Sequence, residues 1–179
     1  SGTNTSVEIS SGASIIANNA ITVSSLIVED GGTYTHAQNG GTIPAATWGA
    51  NSTCNVTGIT GTAPGGTIQT FGNFTWNCAG QSGTVDLTTG AVTFTAAGNF
   101  YVANTNAQTL GFTNSNNNTD LLVYGNFTVG NGTNTTIFNL KRNNNNNTNA
   151  VEIGGNLTVN TNATLTKTGT GTSATVNLG

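Results

Sequence analysis

One short phrase recurs along this chain and limits what it can fold into. It reads TFGNFTWN at 70–77, AAGNFYVAN at 96–104, VYGNFTVGN at 123–131 and IGGNLTVNT at 153–161. Its glycines are Gly72, Gly98, Gly125 and Gly155, a spacing of about 26–30 residues that falls in the range of stacked structural repeats. A fifth copy opens at the end of the chain, where VNLG (176–179) matches VEIG (151–154). Four residues before the glycine stand Ile68, Phe94, Leu121, Val151 and Val176, and two before it Thr70, Ala96, Val123, Ile153 and Leu178. Two residues after it stand Phe74, Phe100, Phe127 and Leu157, and four after it Trp76, Val102, Val129 and Val159. This alternation on both sides of a fixed Gly-Asn predicts strand, bend, strand, each strand with one buried face.

A fixed period of this size belongs to units that stack. The residues between copies hold a further apolar group: Val85 and Leu87, Leu110 and Phe112, Ile137 with Phe138 and Leu140, and Leu165. Three strand segments per repeat predict one coil of a parallel β-helix, all-β and right-handed as parallel crossovers are, with coils of about 25–30 residues. In such a helix, like residues stack on like. Phe74, Phe100, Phe127 and Leu157 form the expected core stack, and Asn73, Asn99, Asn126 and Asn156 the expected structural ladder. Glycine would permit the tight bend, and asparagine would tolerate left-handed backbone there.

The chain reads as one domain over 1–179, with regular Gly-Asn-Phe/Leu coils over 67–179. Residues 7–36 read as two coils of a different phase. Residues 37–66, with both prolines, read as an irregular excursion. Composition agrees with strand and turn: 36 Thr, 29 Asn and 25 Gly favour strands, turns and bends. Disorder is the alternative for so polar a chain, but regularly spaced Phe, Val, Ile and Leu argue against it.

Only 5% of the chain is charged, with three basic and six acidic residues. No basic patch can form, so nucleic acid is not an expected partner. No apolar run of about 18 residues occurs, so no membrane span is expected. A start at Ser1 with no Met anywhere is expected of a mature or excised piece.

Stretches such as GGTYTHAQNGGTIPAATWGANSTCNVTGITGTAPGG (31–66), followed by QTFGNFTWNCAG (69–80), resemble segments of large repetitive surface proteins of Bacteroidota. The resemblance implies an exported, structural or adhesive role at the cell surface. It brings no catalytic residues.

Cys54 and Cys78 are separated by close to one coil length. Adjacent coils and an oxidising compartment predict a disulfide between them, with two free buried thiols as the alternative. With His36 they are too few for a metal site, and His36 beside a Gly-rich turn reads as solvent-facing or capping. No cofactor is expected. Catalysis is not expected either, since Asp86, Asp120 and Glu152 fall in no common column and adjacent Glu29 and Asp30 point to opposite strand faces. Among the Asn-x-Ser/Thr sites, Asn117, Asn134 and Asn146 lie in expected loops and are the better glycan acceptors. Thr-x-Thr pairs at 33–35 and within 164–172 suggest a surface for sugar or ice, but they do not recur in every coil. The expected partners are therefore other copies stacked head to tail, or adjoining repeats of one protein. A carbohydrate is the alternative.

Overall fold

The computed structural model describes residues 5–88, 90, 92–143, 149–169 and 174–178, excluding the side chains of 149 and 174–178. Every named element is a strand. In chain order they are β1 (Ser6–Ile9), β2 (Ser14–Ala17), β3 (Ser25–Val28), β4 (Thr33–His36), β5 (Thr47–Trp48), β6 (Thr53–Val56), β7 (Thr70–Phe71) and β8 (Asn73–Asn77). There follow β9 (Val85–Thr88), β10 (Val92–Ala96), β11 (Phe100–Asn104), β12 (Thr109–Thr113), β13 (Thr119–Val123) and β14 (Phe127–Val129). The last are β15 (Thr136–Asn139), β16 (Asn149–Ile153), β17 (Leu157–Val159), β18 (Ala163–Thr166) and β19 (Ala174–Leu178).

The strands pair in parallel, each with a strand from the next repeat. This is the arrangement of a parallel β-helix or solenoid. Four sheets result: β1-β3-β5, β7-β10-β13-β16-β19, β2-β4-β6-β8-β11-β14-β17 and β9-β12-β15-β18. Up to β8 each repeat supplies two strands. From β9 onward it supplies three. The seven-stranded sheet spans the change and runs about 29 Å along the stack, at about 4.8 Å per step.

The expected core stack is present. Phe74 pairs with Phe100, Phe100 with Phe127, and Phe127 with Leu157. The column also extends upstream through Cys54 and Tyr34 to Ile15. Segment 37–66 is therefore less irregular than its composition suggested: it supplies β5 and β6, both in register with their neighbours. Ile15 pairs with Tyr34, Tyr34 with Cys54, and Cys54 with Phe74. The repeat there is shorter than the downstream one, so a search at the downstream period misses these partners. Its loops stack as well. Thr42 bridges to Gly65, and Asn39 Oδ1 accepts three backbone N–H bonds from Thr60, Gly61 and Thr62.

One register differs from the periodic reading. Thr70 pairs with Thr95 and Phe71 with Ala96, one residue out of the expected alignment. A one-residue slip exchanges the faces of a strand. Phe71 accordingly enters the core, and Ile68 stays 63% exposed. Phe71 then links the two halves: its ring centroid lies 5.1 Å from Trp48, 4.9 Å from Phe74 and 5.6 Å from Phe94. The aromatic chain continues through Phe100 to Phe127, stacked at 4.9 Å and 4°, and both meet Phe138 edge-on.

Each buried apolar side chain contributes on the order of 1.5–3 kcal/mol. Phe100 touches four other aromatic rings. Phe100→Ala is therefore expected to destabilise the chain by about 3–5 kcal/mol. Urea titration followed by circular dichroism measures this; a loss below about 1 kcal/mol would contradict the stack.

Candidate functional site

The Gly-Asn corner explains itself once the repeats are superposed. Each corner glycine donates its N–H to the glycine carbonyl one repeat earlier: Gly98 to Gly72 at 2.8 Å, Gly125 to Gly98 at 2.9 Å, Gly155 to Gly125 at 2.9 Å. The next residue breaks that pattern. The carbonyl of Asn99 faces backward and accepts from Phe74 N–H, as Asn126 does from Phe100 and Asn156 from Phe127. No backbone oxygen then faces the asparagine N–H of the following repeat. The side chain fills the gap: Oδ1 of Asn73, Asn99 and Asn126 accepts from the N–H of Asn99, Asn126 and Asn156, each at 2.9 Å.

The four asparagines thus form a ladder, but left-handed backbone is not the reason for either residue. None of these four asparagines or four glycines has positive φ among the described residues. Glycine is required by close approach. A Cβ on Gly125 would lie 2.7 Å from both C and O of Gly98, closer than real Cβ atoms come.

Two aspartates use the same device elsewhere. Asp30 Oδ1 accepts from Asn51 N–H at 3.0 Å, and Asp120 Oδ1 from Ala150 N–H at 2.9 Å. Asp86 holds Arg142 in a two-bonded ion pair, each contact 2.6 Å, across a long stretch of sequence. Gly111 pairs with Asp86 in the column, and a Cβ there would collide with the side chains of both Asp86 and Arg142. The pair raises the pKa of Arg142, chiefly through its hydrogen bond to Asp86.

Cys54 and Cys78 are free and buried, so the expected disulfide is absent. The shorter repeat there sets Cys54 against Phe74. Cys78 lies further along the chain, just beyond the end of β8. Burial pushes the Cys54 thiol well up and that of Cys78 to about 12. Neither is an activated nucleophile. His36 is fully buried in the column between Ala17 and Val56, contrary to a solvent-facing role, while its contact with the Gly40 carbonyl fits the capping alternative. Its Nε2 lies 2.6 Å from Gly40 O, so Nε2 carries the proton and donates, while Nδ1 has no partner among the described residues. Of the loop sequons, Asn117 and Asn134 are exposed, while Asn146 lies outside the described residues. No group of three or more His, Cys, Asp or Glu gathers among the described residues, and no described helix is long and apolar enough to cross a membrane.

Two surface features remain. A groove of about 350 Å³ opens beside the free edge of β9, lined by residues 62–68 with Asp86 and Leu87. The larger feature is the outward side of the seven-stranded sheet. Strand alternation sends one column outward through Thr35, Asn55, Thr75, Tyr101, Thr128 and Thr158. Beside it runs Thr33, Thr53 and Asn73, continued by the corner ladder. The sequence reading found no repeated Thr-x-Thr because asparagine alternates with threonine and the upstream spacing is shorter. Register alone reveals the array.

Protonating Nδ1 of His36 would place a charge in the apolar core, and burial lowers its pKa from 6.5. The unfolded chain then binds the proton more readily than the folded one, so stability is full above about pH 6.5 and falls as pH drops below it. Thermal melts between about pH 7.5 and 5 are expected to show this fall, absent in His36→Gln. Gly125→Ala, which must displace backbone, is expected to cost more stability than Asn126→Ala, which loses one exposed bond of about 0.5–1.5 kcal/mol. Denaturant midpoints rank the two, and the reverse order would refute the close-approach account. No protein family, no curated protein and no solved structure matches the chain.

Proposed function

We propose that the chain is an extracellular structural module of a bacterial surface fibre or adhesin, a right-handed β-helix with coils of about 25–30 residues in its regular part. It acts through stacking. The observation that carries this reading is the continuous register of one column from Ile15 to Leu157. That continuity joins successive repeats through backbone bonds, and such a joined stack can bear load along its axis.

The polar side chains support the same reading. Asp30, Asp86 and Asp120 are each engaged in holding one repeat to another. These three carboxylates are therefore not free to face one substrate in pairs, as glycoside hydrolysis needs. The sheets end on strands whose outer edges carry unpaired backbone groups: β2 at one end, β17 and β18 at the other, among the described residues. Such edges recruit further strands. They would be met by adjoining repeats of the same protein or by another copy stacked head to tail.

Sedimentation velocity over a concentration series, with negative-stain electron microscopy, tests the proposal. Rods that lengthen in whole-subunit steps are expected if copies stack. Single short rods at every concentration would assign the module to a longer chain. Compact globules or unfolded chains would overturn the reading.

A further inference from the structure

We propose that the outward side of the seven-stranded sheet is a docking surface for an extended, neutral, β-linked polysaccharide. The proposal rests on the fold and not on self-assembly. Along each strand, outward residues stand about 6.6–6.8 Å apart, and successive strands are about 4.8 Å apart. From Thr35 to Thr158 the outward column therefore sets one hydroxyl or amide side chain at each step along the rod, of which the Asn55 Oδ1 alone is buried. The step is comparable to one sugar residue in an extended chain.

Charge selects the class of partner. None of the three basic and six acidic residues stands on this side. Glu8, Asp86, Asp120 and Glu152 belong to the other sheets, and Glu29 and Asp30 to the turn after β3. An anionic or cationic polymer finds no counter-charge here. A protein partner would look for a cluster of apolar anchors, and the column offers two that stand several strands apart, Ile16 at its end and Tyr101 in its middle. A neutral polyol, with donors and acceptors of its own, matches what is displayed.

The hydroxyls are available. Thr35, Thr75, Thr128 and Thr158 make no side-chain hydrogen bond among the described residues, whereas Oδ1 of Asn73, Asn99 and Asn126 is taken up by the corner ladder. Threonine is stiff at χ1, and these threonines sit on strands hydrogen-bonded on both sides or, for Thr158, at the end of the sheet. Ordering them on binding therefore costs little. Tyr101 stands mid-column between Thr75 and Thr128, partly buried. Its ring adds an apolar body with a polar tip, suited to the C–H face of a sugar. The same ring interrupts the flush plane that an ice surface would require.

Co-sedimentation of the whole chain with microcrystalline cellulose and with chitin tests the proposal, with an alginate gel as the anionic comparison. Binding to at least one neutral glycan, and not to alginate, is expected. Thr128→Lys and Tyr101→Ala should each weaken it roughly tenfold or more, a change of about 1.4 kcal/mol. Thr93→Lys, on the five-stranded sheet, should leave it unchanged. Thermal melts establish that all three variants fold. The proposal fails if neither glycan is bound, if alginate is bound as tightly, or if Thr93→Lys weakens binding as much as Thr128→Lys. It also fails if the chain arrests ice growth while ignoring both glycans.

Discussion

The structure depends on a single corner at which the backbone cannot complete its own ladder. Parallel strands exchange evenly spaced bonds with the strands on either side, but a bend turns some carbonyls the wrong way. At Asn99 and Asn126 the carbonyl faces backward, and the asparagine N–H ahead would go unmatched. The asparagine side chain restores the acceptor, and the neighbouring glycine lets the backbones approach closely enough to use it. Aspartate could accept the same bond, but a column of like charges at such short spacing would repel. Neutral asparagine avoids that. This accounts for four of the 29 asparagines in a chain so poor in charge.

The corner also tolerates unequal repeats. The intervals between Gly72, Gly98, Gly125 and Gly155 lengthen along the chain, yet the strands that follow them return to register each time. Extra residues are taken up between strands. Where the three-strand repeat begins, the interior supplies its own join. Trp76 donates Nε1–H to Gln81, and the buried Gln81 amide donates to Gly83 and Thr109 carbonyls. The aromatic chain crosses the same point through Trp48, Phe71 and Phe74. A buried polar group is costly unless bonded; Gln81 is bonded through both ends of its amide.

Interior and exterior of each strand therefore have separate tasks. The inward residues stack on their own kind and set stability. Apart from the corner asparagines, the outward residues of the seven-stranded sheet are free of that duty and repeat at strand spacing without charge. The proposed structural role and the proposed docking role are compatible, because they call on different side chains.

The sequence by itself determined the all-β class and the stacked repeat. It also determined the stacking partners of Phe74, Phe100, Phe127 and Leu157. These were legible because strong apolar residues keep one distance from a fixed Gly-Asn, and that distance is local. Tertiary pairing decided the rest. The shorter repeats upstream carry no Gly-Asn sign, so Tyr34, Cys54 and the burial of His36 followed only from register. The slip that buries Phe71 and exposes Ile68 is a single residue, too small for a periodic count to notice. The two cysteines were separated by the same cause: one spacing in sequence means adjacency under one repeat length and separation under another. Which residues share a column is settled by hydrogen bonds between distant parts of the chain, and local pattern constrains that choice without fixing it.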